Sequence, residues 1–171
     1  MWSSCSQFNV TTCILYNVKD PILSINSMTI NPTTLQMGRE LSLSFEATVH
    51  RSITSNLKVD VTLKKNTWFG YIWVPCLFKV GSCSYKFCDL LSSMFATEGV
   101  QCPLLIDKSN ANCTCPFQPG TYKVDKETLE MPTITGFGFA VSGTYNMKAK
   151  LVDTKTKHVA GCYEMTFSIQ A

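Results

Sequence analysis

Leu41-Ser-Leu-Ser-Phe-Glu-Ala-Thr-Val49 alternates apolar and polar residues without a break. In a strand successive side chains point to opposite faces, so this stretch lines Leu41, Leu43, Phe45, Ala47 and Val49 along one face and Ser42, Ser44, Glu46 and Thr48 along the other. The pattern recurs downstream, with Leu57, Val59, Val61 and Leu63 alternating against Lys58, Asp60, Thr62 and Lys64. Toward the C-terminus it appears twice more, as Tyr145, Met147, Ala149 and Leu151 and as Tyr163, Met165, Phe167 and Ile169. Each stretch reads as a strand with one covered and one wetted face. Ser27 to Ile30, Tyr71 to Val74 and Thr121 to Val124 are weaker strand candidates. Helical spacing occurs only over Asp89 to Phe95, where Leu90, Leu91, Met94 and Phe95 fall at i, i+1, i+4 and i+5. Short strands separated by turn residues predict an all-β fold, a single antiparallel cup or sandwich with at most one short helical turn.

Composition narrows the class. A chain of 171 residues is about one domain's worth, and no repeat or linker divides it. Charged residues make up 16 % of it, against about 25 % in an ordinary soluble domain, which disfavours disorder and coiled coils. The longest unbroken apolar run, Tyr71 to Phe78, contains Pro75 and is far shorter than the ~20 residues of a spanning helix. The net charge of +3 favours an anionic lipid surface mildly and is too small for a nucleic-acid footprint, so no nucleic-acid partner is expected.

Nine cysteines are present, at 5, 13, 76, 83, 88, 102, 113, 115 and 162, six of them between 76 and 115 among Ser, Pro, Gly and Asn. That density reads as a disulfide framework. Zinc is disfavoured because there is no Cys-x-x-Cys, and His50 and His158 stand apart. Neither metal nor cofactor is expected. The sequons Asn9-Val-Thr11 and Asn112-Cys-Thr114 mark Asn9 and Asn112 as candidate glycosylation sites and point to the secretory pathway. Met1-Trp2 is followed by polar residues and not by an apolar run, so either a signal peptide has been removed or Met1 was added for expression, and the reading is of a mature secreted or lysosomal protein.

Two segments break the alternation. Thr67-Trp-Phe-Gly-Tyr-Ile-Trp-Val74 is apolar on both faces and reads first as a strand packed on both sides. Thr133-Ile-Thr-Gly-Phe-Gly-Phe-Ala-Val-Ser-Gly143 sets Phe137, Phe139 and Val141 among three glycines and reads as a loop with its aromatics tucked in. For both, the alternative is an exposed apolar rim that touches lipid. For the second segment the membrane-contacting alternative is the working proposal, since its glycines let the loop change shape.

Leu57-Lys-Val-Asp-Val-Thr-Leu63, Pro75-Cys76, Gly81-Ser-Cys83, Phe87-Cys-Asp-Leu90, Cys102-Pro103, Cys113-Thr-Cys-Pro-Phe117, Gly120-Thr-Tyr122 and Gly161-Cys162 follow one another in an order and spacing that resemble the ganglioside activator family, the lysosomal sphingolipid activators of β-hexosaminidase. The resemblance runs from about Lys19-Asp-Pro21 to Ile169, which sets residues 1–18 apart as an N-terminal extension and 19–171 as a lipid-binding β-cup domain. It implies a cup around a large apolar cavity that holds a glycolipid's acyl chains. It also implies four disulfides, Cys13 with Cys162, Cys76 with Cys83, Cys88 with Cys115 and Cys102 with Cys113, of which the last three staple loops at the mouth. Sequence alone does not choose among the connectivities. Cys5 is an additional thiol, open to a role between chains and so to an oligomer. Phe139 stands roughly where the family carries a membrane-contacting Trp.

Moving a lipid tail into water costs about 0.8 kcal/mol per CH₂, so only an apolar cavity offsets extraction from a bilayer. On the cup, Leu43, Phe45, Val59, Val61, Tyr145, Met147 and Phe167 are expected to face it, with Leu90, Leu91, Met94, Phe95, Phe137, Phe139 and Val141 at the mouth and membrane loop. Head-group contacts are expected near Asp89, Ser92, Ser93, Thr133 and Thr135. Lys148, Lys150, Lys155, Lys157 and His158 form a basic stretch read chiefly as solvated. The expected function is a lipid or glycolipid transfer protein that engages membranes transiently and presents its ligand to a β-hexosaminidase-like glycosidase. The alternative is a secreted carrier of a fatty acid, sterol, pigment or signal lipid with no enzyme partner. An enzyme is not expected, since the chain has no Gly-x-Ser-x-Gly, no His-Glu-x-x-His and no histidine near a plausible nucleophile, so no catalytic residue is assigned.

Overall fold

The computed structural model describes residues 10–13, 17–95, 102–106, 109–131, 133 and 141–171. The alternating stretches form the long strands: β1 (Thr11–Thr12), β2 (Leu23–Asn31), β3 (Thr34–Gln36), β4 (Glu40–Val49), β5 (Leu57–Thr67), β6 (Gly70–Trp73), β7 (Ser84–Lys86), β8 (Leu105–Ile106), β9 (Ser109–Asn110), β10 (Gly120–Glu130), β11 (Gly143–Asp153) and β12 (Val159–Gln170). One helix, α1 (Phe87–Phe95), follows β7. Among the described residues the strands make two sheets. Sheet A runs β1-β12-β11-β5-β6, with β3 beside β12 and β7 beside β5, and sheet B runs β2-β4-β10-β8-β9. All pairings are antiparallel except β3 with β12. This is the all-β, two-layer arrangement that the alternation implied.

The core lies between the sheets. Leu43, Val49 and Val124 of sheet B meet Leu57, Val59 and Leu151 of sheet A, with Ile53 and Val124 wholly buried. One end is sealed by backbone: Ile53 and Phe117 exchange N–H···O bonds of 2.9 Å in both directions. Between the sheets the Tyr163 hydroxyl donates to the Leu23 carbonyl. Burial pushes the Tyr163 phenol pKa up, which keeps it a donor.

Two bulges change which residues face inward. In β10 the register jumps between Val124, opposite Phe45, and Glu127, opposite Leu43. Lys126 takes φ 49° there, and its N–H donates to Ser44 Oγ at 2.9 Å. The extra residues turn Glu127 and Leu129 to the face that Leu43 and Leu41 occupy. A second jump, between Ile25 and Ser27, lets β2 offer both Ile25 and Met28 to the interior.

Four disulfides cross-link the fold: Cys13–Cys162, Cys76–Cys83, Cys88–Cys115 and Cys102–Cys113. The second and third bracket α1 and the excursion before it, and the third and fourth hold the segment ahead of β10. Cys5 lies outside the described residues.

Candidate functional site: an apolar cavity under a short helix

Helix α1 exists because Leu90, Leu91, Met94 and Phe95 share one face, and Asp89 in its first turn suits the positive end of the helix dipole. Cys88–Cys115 anchors its start and Ser93 Oγ donates to the Leu90 carbonyl at 2.8 Å. The apolar face lies over the inner face of sheet B without filling the space beneath it. A cavity of about 180 Å³ remains. Sheet B supplies Met28, Leu43, Phe45, Ala47 and Val49. The helix side supplies Phe87, Leu91, Met94 and Phe95. Ile53, Leu104, Phe117 and Tyr122 close the remaining wall. Phe45 meets Phe95 with ring centroids 6.3 Å apart, and Phe117 stands edge-on to both Phe87 and Tyr122.

The lining carries one polar atom of note. The Tyr122 hydroxyl donates to the Gln118 carbonyl at 2.7 Å, away from any need for a ligand partner. Burial raises its pKa against the opposing effect of that carbonyl bond, so it stays protonated. The cavity therefore offers dispersion and dehydration and nothing that fixes a charge.

Of the residues expected to face the ligand, Leu43 and Phe45 line this cavity. Val59 is buried in the core and Val61 packs against it. Tyr145 and Phe167 stack at 5.9 Å toward the other end of sheet A, where Met147 lies opposite Met165 and Leu63. Of the expected mouth residues, Leu91, Met94 and Phe95 line the cavity, and Leu90 packs against the core. Val141 is half-buried and its carbonyl accepts the Tyr145 hydroxyl. Phe137, Phe139, Thr135 and the sequon Asn9 lie outside the described residues, while Asn112 is exposed. Leu23, Ile25, Met28, Ile53, Leu104 and Phe117 were not singled out in the sequence. The β2 bulge hid its contribution, and the others are single apolar residues in loops with no period to announce them.

The reading of Thr67 to Val74 as a strand packed on both sides is corrected. β6 is an edge strand, and all four of its residues are exposed. Trp68 and Phe69, in the turn before it, are 94 % and 63 % exposed. The apolar run continues past Pro75 into Leu77 and Phe78, and Phe78 is 99 % exposed.

A second correction concerns chemistry. One histidine does meet a hydroxyl, with Ser24 Oγ 2.7 Å from His50 Nε2. The pair sits on the polar outer face of sheet B, and among the described residues no carboxylate hydrogen-bonds the His50 ring, so the base lacks the orienting third member of a nucleophilic triad. Ser24 also borders an outer recess of about 180 Å³ beside Cys162, lined by Thr12, Asn17 and Tyr163. Its mixed polar wall suits acyl chains less than the inner cavity does. No group of three or more metal-ligating side chains occurs among the described residues. In the basic stretch, Lys148 pairs with Glu164 at 3.1 Å. Lys155, Lys157 and His158 are exposed in the turn between β11 and β12.

The curated relatives include the ganglioside GM2 activators of Macaca fascicularis and Mus musculus, each 28 % identical over 153 residues, covering 89 % of this chain and 78 % and 77 % of theirs. A Niemann-Pick type C2 protein from Japanese carpenter ant aligns over 95 % of this chain and 100 % of its own at 13 % identity, with a TM-score of 0.47. The family model described as ML domain (E1_DerP2_DerF2) matches residues 7–169, nearly the whole chain, and the protein belongs to that family.

Proposed function

We propose that this protein is a lipid carrier, taking acyl chains of a lipid or glycolipid into the cavity beneath α1 and moving them between membranes. The observation that carries this reading is the apolar space left between α1 and sheet B. At about 180 Å³ it has room for roughly six water volumes, below the ~300–1,000 Å³ of drug-sized sites. A full tail enters by displacing α1, whose apolar face would then exchange Leu91, Met94 and Phe95 contacts for contacts with the ligand. Met28 and Met94 suit tails of differing shape because the thioether chain adapts. The names of the curated relatives support a ganglioside as one ligand, and the family resemblance of the sequence implies presentation to a glycosidase as a further step. The disulfides support an oxidising, secretory or lysosomal setting.

The test is to fill the space. Ala47 is buried in the cavity wall, so Ala47→Phe should cost about 1–3 kcal/mol of stability through overpacking while leaving a folded protein. Loading of a fluorescent acyl-chain lipid presented as monomer in solution should fall at least about tenfold, equivalent to ~1.4 kcal/mol. Unchanged loading in Ala47→Phe, or no loading by the unaltered protein, sinks the cavity as the site. A glycosidase assay on membrane-bound ganglioside, with and without the protein, tests presentation separately.

A further inference from the structure

The inner cavity has a neighbour. Across β2 lies the outer recess beside Cys162, also about 180 Å³, and Ile25 lines both spaces. β2 is the outermost strand of sheet B, and β12 carries only the short β1 and β3 on its outer side. The two sheets therefore meet here along a seam and not through a shared strand. The seam is fastened at one end, where the Ile22 N–H donates to the Ala160 carbonyl at 2.8 Å and Cys13–Cys162 ties β12 to the chain just after β1. One side chain extends the fastening. Tyr163, which lines the recess, donates its hydroxyl to the carbonyl of Leu23, which lines the cavity. Ile25 and the Tyr163–Leu23 bond thus form the partition between the two spaces.

β2 is irregular at this partition. The register jump between Ile25 and Ser27 lifts Asn26 out of the ladder, and its amide donates to Glu46 Oε1 at 3.2 Å and to Thr48 Oγ1 at 2.9 Å on the outer face. A bulge bends its strand and re-aims the side chains beside it. Ile25 is therefore held by ladder register on one side only.

The chemistry of the two spaces differs. Under α1 the wall is apolar, whereas Thr12, Asn17 and Ser24 bring two hydroxyls and an amide to the recess beside Val18, Pro21 and Ile25. No described residue lining the recess is charged. Ser24 Oγ lies 2.7 Å from His50 Nε2. Whichever of the two donates, the hydroxyl keeps capacity for another bond: it accepts where His50 receives its proton and donates where His50 supplies one. A wall of neutral hydrogen-bonding groups pairs with hydroxyl, ester and amide groups, and leaves a carboxylate or phosphate without a counter-charge.

We infer that recess and cavity form one binding site for an uncharged single-chain amphiphile, its tail passing Ile25 into the space beneath α1 and its hydroxyl- or amide-bearing neck held at Ser24, Thr12 and Asn17. Tyr163 is the latch on that passage, and α1 stays in place. The inference rests on the carrier reading of the inner cavity and adds to it a ligand class and an entry at the seam.

Two fluorescent probes with the same tail separate the parts, a 1-monoacylglycerol and the corresponding fatty acid, each presented as monomer. The unaltered protein should bind the monoacylglycerol at least about tenfold more tightly. Ser24→Phe, which sets a ring in the recess from the outer face of β2, should erase that preference and leave the fatty acid unaffected. Ala47→Phe should weaken both. Tyr163→Phe removes the latch and keeps the ring, so it should release the monoacylglycerol at least about tenfold faster and change fatty-acid release little. Where Ser24→Phe does not fold, Thr12→Val with Asn17→Ala at the exposed rim takes its place, with a loss of about threefold or more for the monoacylglycerol alone.

Equal affinity of the unaltered protein for the two probes overturns the inference, as does a preference that the recess variants leave intact. So does weakening of both probes alike by Ser24→Phe, or a Tyr163→Phe variant that releases monoacylglycerol at the original rate. In each of these cases fatty-acid binding by the unaltered protein keeps the carrier reading standing. Binding of neither probe removes that reading and this inference with it.

Discussion

Phe87 to Phe95 and Trp68 to Val80 lie close in sequence, are similarly apolar and are both held by disulfides, yet one faces in and the other out. The helix buries Phe95 and lays Leu91 over sheet B, whereas the hairpin edge leaves Trp68 and Phe78 in water. The difference is topological. α1 starts where β7 ends and falls across an inner face, while β6 has β5 on one side and no described strand on the other. Hydrophobicity sets how much free energy is available, and position in the sheet decides whether the fold or an outside partner receives it.

Breaking the closed side of this contrast should have the largest effects. Cys13–Cys162 spans 149 residues, so Cys13→Ser with Cys162→Ser is expected to cost up to about 5 kcal/mol by loop-closure entropy, read as a lowered urea midpoint. Leu43→Ala, at the cavity wall, should cost about 3 kcal/mol in the same assay. Cys76–Cys83 spans only 7 residues, and its removal should cost about 2 kcal/mol or less, with α1 and the core unaffected by near-UV circular dichroism. Trp68→Ser with Phe69→Ser should change stability by no more than about 0.5 kcal/mol. A loss of several kcal/mol there would mean that the edge is covered in the folded molecule, and the contrast would collapse.

The smallest expected effect lies in the polar turn after β11. Asp153 Oδ1 accepts the backbone N–H groups of Lys155 and Thr156 at 2.8 and 2.9 Å, and those two bonds, the Thr156 bond first, hold its pKa below the usual carboxylate value. Because folding depresses this pKa, the contribution is present above the ordinary carboxylate range and fades as pH falls through the lowered folded value. Asp153→Ala should therefore melt slightly below the unaltered protein at neutral pH, and the gap should close on acidification.

The sequence displayed β4, β5, β11 and β12 because each keeps strict period two, and α1 because its apolar residues share a helical face. β10 showed only its first residues: the bulge between Val124 and Glu127 breaks the alternation, so Glu127 and Leu129 are out of phase with Tyr122 and Val124. The disulfide pairing was available through family resemblance and not through cysteine spacing. The cavity was half legible. Leu43 and Phe45 followed from their strand, but Leu104 and Phe117 line it only because backbone bonds and bridges draw their loops inward. The Trp68 edge was misread for a simple reason, that no local pattern distinguishes a strand with two neighbours from a strand with one.

Cys13 and Cys162 lie with Cα atoms 5.4 Å apart, and the Cys13 N–H also donates to the Cys162 carbonyl at 3.2 Å. From 13 to 162 the chain is thus a closed ring. A protease that cuts the exposed turn near Lys155 opens the ring without releasing a fragment, and both sheets keep their covalent continuity through sulfur. Such a nicked molecule would migrate as one piece, heavier by a single water, until a reductant parted it.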